Sequence, residues 1–175
     1  MSKRPSRLLW SFVATVFLTG FMSGSQSLGM TRMNIPYMLG TMVTEDRDRA
    51  RLLGFLLHLL NGWGFALVYA AAFDRWRRSG WWRGAGIGVV HALFVLIAGI
   101  PLLPGLHPRM AGDEHGPTPT RLLEPPGFMA LNYGRRTPIS VLLAHIIYGA
   151  ILGAFYHPRP REASLEASPA SPGNP

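Results

Sequence analysis

Four stretches of this chain carry not one Asp, Glu, Lys or Arg: Leu8 to Met30, Leu52 to Phe73, Gly84 to Leu103 and Ile139 to Tyr156. A bilayer core about 30 Å thick is crossed by roughly 20 apolar residues in a helix. Lipid offers backbone N–H and C=O groups no partner, so segments of this kind must bond internally and fold as helices. Charged residues make up only 15% of the 175, against roughly 25% in soluble domains. They gather at residues 3–7, 45–51, 74–83, 109–124, 135–136 and 159–166. The expected fold is therefore all-α, an integral membrane four-helix bundle with spans at about 8–30, 52–73, 84–103 and 139–156. Residues 158–175 have the low-hydrophobicity composition of a disordered C-terminal tail.

The net charge is +8, but the basic residues flank apolar spans and do not line one soluble face. That placement suits lipid headgroups and topology, not nucleic acid. The two tails and the link between spans two and three together hold nine Lys and Arg, and the other two loops hold eight. The density of Arg75, Arg77, Arg78 and Arg83 in one short link, beside Trp76, Trp81 and Trp82, favours both termini on the cytoplasmic side. The first span also has the parts of a cleavable signal peptide, a basic start, an apolar run and small residues in SGS. Cysteine is absent, which excludes disulfides, thiolate metal sites and cysteine nucleophiles.

Setting His58 on His145, 87 residues later, aligns HLLNGWGFALVY with HIIYGAILGAFY, so that Gly62 meets Gly149 and Tyr69 meets Tyr156. Each segment closes a unit of span, long loop and span. The match predicts two tandem helical hairpins, a pseudo-repeat about an axis along the membrane normal, and it argues that the first span is retained. Small residues four apart recur in every span: Gly20 and Gly24, Gly62, Ala66 and Ala70, Gly84 and Gly88, Gly149 and Gly153. Such spacing lets helix backbones approach in lipid. These positions are expected to pack helices within the chain, with a second copy, or within a larger membrane complex.

In the first long loop, Ile35 to Val43 is too short to span and reads as an interfacial or re-entrant turn. The charges after Thr44 read as the capped first turn of span two. The second loop is long and rich in Pro and Gly. Three phrases, MNIPYMLGTMVTEDRDRARLLGFLLHLLNGW, PLLPGLHPRM and EPPGFMALNYGRRTPISVLLAHIIYGAILGAFY, resemble those of a bacterial family of small four-helix integral membrane proteins of unknown function. The similarity covers roughly residues 8 to 157. It implies membrane location and carries no activity; the membrane expected is the plasma membrane of a bacterium.

Ionisable groups inside a span are functional candidates. His58 and His145 each lie about 10 Å inside one end of their helix, and His91, entering from the opposite side, is expected in the other half of the bilayer. Neutral imidazoles from His58 and His145, with His91 as a further candidate, suit a haem iron or a divalent ion. They also suit hydrogen bonds that hold the bundle together, the reading preferred over a cofactor site because a satisfied neutral imidazole needs no ligand, and steps of a proton or ion path. His107, Asp113, Glu114 and His115 form a second metal candidate in the loop. No GxSxG, HExxH, Walker or dinucleotide motif is present, so no catalytic residue is assigned. The sequence thus favours a structural or accessory membrane component, with a haem or metal binder and a small transporter as alternatives.

Overall fold

The computed structural model describes residues 7–111 and 123–158. Asp113, Glu114 and His115 lie outside these residues, as does the tail from residue 159 onward. Among the described residues all the regular secondary structure is helical, with one isolated bridge between Met110 and Leu123. The long helices are α1, Arg7–Ser27, α3, Arg47–Trp76, α4, Trp81–Phe94, and α6, Thr137–Phe155. Helix α4 continues through a π-helical turn, Val95–Gly99, into α5, Ile100–Leu106. This continuous 26-residue unit, with α1, α3 and α6, gives four helices long and apolar enough to cross a membrane.

The π turn has a local cause. Pro101 and Pro104 lack the N–H that would return to the previous turn, and the Ile100 N–H bonds five residues back, to Val95 O. Helix α2, Ile35–Thr41, begins where Asn34 Oδ1 accepts the Tyr37 N–H at 3.0 Å, with proline at its start. Both are standard helix-entry signals, so the segment read as an interfacial turn is a short capped helix. The cap of α3 is Asp46, whose Oδ1 accepts the Arg49 N–H at 2.7 Å. Thr44 instead accepts the Asp46 N–H at 3.3 Å, three residues before the helix it was expected to cap.

The α1 start, the α3 end, the α4 start and the α6 end share one end of the bundle. There Trp10 stacks on Phe155 at 3.6 Å, Gly80 N–H bonds Gly153 O at 2.8 Å, and Ser79 Oγ donates to Tyr156 O at 2.7 Å. The described parts of the two long loops share the other end.

Packing is most extensive between α4 and α6. A Cβ added at Gly84 would fall on the Gly149 carbonyl, one at Gly149 on the Gly84 carbonyl, and one at Gly88 on the His145 carbonyl. These backbones touch because nothing stands between them. Gly153 meets the Gly80 carbonyl in the same way. Gly62 instead faces the Thr15 side chain of α1, and Ala66 is buried. Two further glycines, Gly40 and Gly54, join α2 to α3 against the Ala50 and Pro36 carbonyls. Gly20 and Gly24 are exposed on α1 with no neighbouring atom.

The two hairpins are not packed alike. Helix α1 lies more against α6 than against α3, and α6 touches all three other long helices. Helices α3 and α4 meet through side chains, chiefly Phe65 and Tyr69 against His91.

Because the atom nearest Gly62 belongs to a side chain, its clash can be relieved. Gly62→Ala is expected to lower stability in detergent by about 1–3 kcal/mol, and Thr15→Ala in the same chain to restore part of the loss. A double-mutant cycle read by thermal unfolding checks this. Purely additive losses would contradict the contact.

Candidate functional site: an imidazole-lined cavity under a folded cap

The polar residues of α1 form one stripe. Ser11, Thr15 and Thr19 are four apart, and each threonine hydroxyl donates to the carbonyl of the residue four before it, at 2.8 Å. Polar groups that satisfy themselves this way can be buried at little cost. Thr15 and Thr19 of this stripe line a cavity of about 190 Å³ between α1, α3, the α4–α5 unit and α6. His58, Asn61, His91, His145 and Tyr148 line it, as do Val95 and Gly99 of the π turn. No Asp, Glu, Lys or Arg does. Such wide turns recur where a helix is shaped around a site.

The placement of His91 in the opposite half of the bilayer is overturned. The His91 and His145 rings stand 4.6 Å apart, edge to face. His91 lies ten residues from the α4 start, about 15 Å along the axis, and His145 lies eight from the α6 start, about 12 Å from the other end. Counted from opposite ends of antiparallel helices, the two depths meet near the middle.

His145 Nδ1 bonds Val141 O at 2.8 Å. His91 Nδ1 bonds the Tyr69 hydroxyl at 3.3 Å and lies against Phe65, with ring centroids 3.9 Å apart. Tyr69 in turn meets Tyr148 edge to face at 5.5 Å, and Tyr148 donates to Gly62 O at 2.5 Å. Hydrogen bonds thus join α3 to both α4 and α6 around the cavity floor. His58 lines the same cavity on α3 and makes none of these bonds.

Among the described residues, no three His, Asp or Glu side chains converge as a bound metal ion would require. Two axial imidazoles of a haem flank a flat macrocycle. The edge contact between His91 and His145 leaves no such slot, so any bis-imidazole pair would have to include His58.

The loop end is a folded cap. His107 is 3% exposed, and its Nε2–H donates to Met38 O at 2.9 Å, with Thr41 Oγ1 at 3.2 Å. Its Nδ1 accepts the Arg109 N–H at 3.1 Å. Both ring nitrogens are therefore engaged by the protein, which leaves neither to a metal. Burial holds His107 below its ordinary pKa, aided by the Arg109 charge and opposed by the bond to Met38. Arg109 also donates to Thr41 O at 2.6 Å.

Opposite, Arg32 N–H bonds Tyr133 O at 2.7 Å, and Thr31 and Thr137 share a buried hydroxyl contact at 2.8 Å. Burial, with the Glu124 carboxylate, pushes the Tyr133 phenol up to about 12, so it stays protonated and donates to Glu124 O at 2.5 Å. These ties hold the 3₁₀ helix Phe128–Tyr133, in which Met129 and Ala130 are both left-handed, at φ 50° and 59°. Each such residue costs about 1–2 kcal/mol, offset here by burial of Ala130 and the surrounding bonds.

No family model, curated protein or solved structure matches this chain. The site therefore rests on its own geometry.

Sequence reasoning found the three histidines but missed Tyr69, Tyr148, Asn61 and the α1 stripe as their companions. The signal was present in the spacing. Asn61 follows His58 by three, Tyr148 follows His145 by three, and three- and four-residue steps share a helix face.

Proposed function

We propose that this chain is a four-span integral membrane protein that holds a small, uncharged ligand in the cavity between its helices. The observation that carries this reading is the cavity itself, lined by imidazoles from three helices beside a π turn, with no charged residue in its wall.

Membrane insertion is supported by the outer surface. In each apolar window only 22–39% of the residues are buried within the chain, and Phe17, Leu67, Val90 and Ile97 point outward. In water such a surface would drive association, whereas lipid covers it without cost. Exposed Trp76, Trp81 and Trp82 beside the arginines of the Arg77–Gly80 region suit an interfacial belt, so we place this end and both termini on the cytoplasmic side of a bacterial plasma membrane. The tandem repeat belongs to the same proposal, as an origin by duplication after which the hairpins diverged in packing.

The reading as a purely accessory component loses part of its support. Gly84, Gly88, Gly149 and Gly153 are used up inside the chain, which leaves only Gly20 and Gly24, of those candidates, open to a second copy or a larger complex.

A cavity-filling variant separates these readings. Thr19 lines the cavity and its hydroxyl bonds only its own helix, so Thr19→Phe is expected to fill the space and keep the fold. Small neutral aromatics should raise the unfolding temperature of the wild-type protein in nanodiscs and leave Thr19→Phe unmoved. Equal responses would contradict the cavity as a binding site.

A further inference from the structure

We propose that the cavity recognises a ligand through one neutral group that both donates and accepts a hydrogen bond, a phenolic or alcoholic hydroxyl on an apolar body. The inference rests on the reading of the cavity as a ligand site and goes on to assign its chemistry.

The protons decide it. Val141 O can only accept, so the bond at 2.8 Å requires the proton of neutral His145 on Nδ1. Its Nε2 is then a bare acceptor. Tyr69 is 1% exposed, and its hydroxyl has His91 Nδ1 as its hydrogen-bond partner. Were His91 the donor, the buried phenol proton would have no acceptor, an arrangement native structures avoid. The phenol therefore donates, and neutral His91 keeps its proton on Nε2. No hydrogen bond joins the two rings, which meet edge to face at 4.6 Å.

Both residues line the cavity, and with both Nδ1 atoms tied back to the protein, what their rings, 4.6 Å apart, keep for a ligand is one donor and one acceptor. A single hydroxyl satisfies both, donating to His145 Nε2 and accepting from His91 Nε2–H. An ether or ketone satisfies one of them and a hydrocarbon neither. An anion would enter a space without a cation to meet it, at a large desolvation cost.

The test uses full-length protein in nanodiscs and four probes of one shape: 4-propylphenol, 4-propylanisole, propylbenzene and 4-propylbenzoate. Affinities are read by calorimetry after subtracting partition into empty nanodiscs. The phenol is expected to bind roughly tenfold tighter than the anisole, with no measurable binding of the benzoate. Equal affinity of phenol, anisole and propylbenzene would overturn the donor–acceptor assignment and leave the cavity reading standing. No binding by any probe would overturn both.

Tyr69 acts here as a positioning residue, through the proton it lends to His91. Tyr69→Phe is expected to shrink the phenol preference to roughly threefold or less while the affinity for propylbenzene holds. An undiminished preference would overturn the tautomer assigned to His91.

Discussion

Replacing Gly149 by alanine is expected to destabilise the bundle by more than about 3 kcal/mol, an unusually large effect for one methyl group. Overpacking a core typically costs about 1–3 kcal/mol when side chains can rotate away. Here the added Cβ would meet the Gly84 carbonyl, and backbone cannot rotate away. Relief requires α4 to separate from α6, the most extensively packed helix pair among the described residues. That movement would also part His91 from His145, since Gly88 and Gly84 hold the same seam. Gly84→Ala should behave alike. Gly86→Ala, on the open face of the same helix with no atom near, should be neutral or slightly stabilising because alanine favours helix. The check is the unfolding midpoint of the three variants in one detergent. Similar midpoints would show that the α4–α6 seam is looser than described.

His107→Ala carries the second large effect, a loss of about 2–4 kcal/mol confined to the cap. The substitution removes the donor to Met38 O and the acceptor for the Arg109 N–H, and it empties a fully packed position. Hydrogen exchange of amides 38–44 and 107–111 should quicken, while α4 and α6 stay protected. The same histidine makes the cap pH-sensitive. Because its folded pKa is depressed, the unfolded imidazole takes up the proton first. Its stabilising contribution is complete above about pH 6.5 and declines as pH falls below that value. Exchange in the wild-type cap should therefore rise on acidification, and the rise should be blunted in His107→Ala. A wild-type cap indifferent to pH between 7 and 5 would contradict the buried, neutral His107.

The four long helices were legible because exclusion of charge from a stretch of about 20 residues needs no knowledge of its neighbours. The close seam was half legible. Gly20 with Gly24 and Gly84 with Gly88 share one spacing, yet only the second pair meets a helix. Which face finds a partner is decided by the whole bundle, and spacing alone cannot report it.

The depth of His91 was misjudged because it was counted from its own end without the α6 count beside it. The cap was the least legible part. Its ties run from Arg32 to Tyr133 and from His107 to Met38, pairs far apart in sequence. Its left-handed residues, Met129 and Ala130, are not the glycines that normally announce such a conformation. The Asn34-Ile35-Pro36 entry to α2 did carry a local helix-start signal. Short apolar length outweighed it.

The most direct test of the account is to extract the wild-type protein and Thr19→Phe from membranes into nanodiscs and determine by mass spectrometry which molecules accompany each. The visible spectrum and metal content of the same samples show whether a haem or an ion takes part. The account predicts a small neutral molecule that accompanies the wild-type protein in stoichiometric amount and is lost from the variant. Identical contents in the two samples, with both equally folded, would contradict a ligand site and leave the imidazoles as ties between helices.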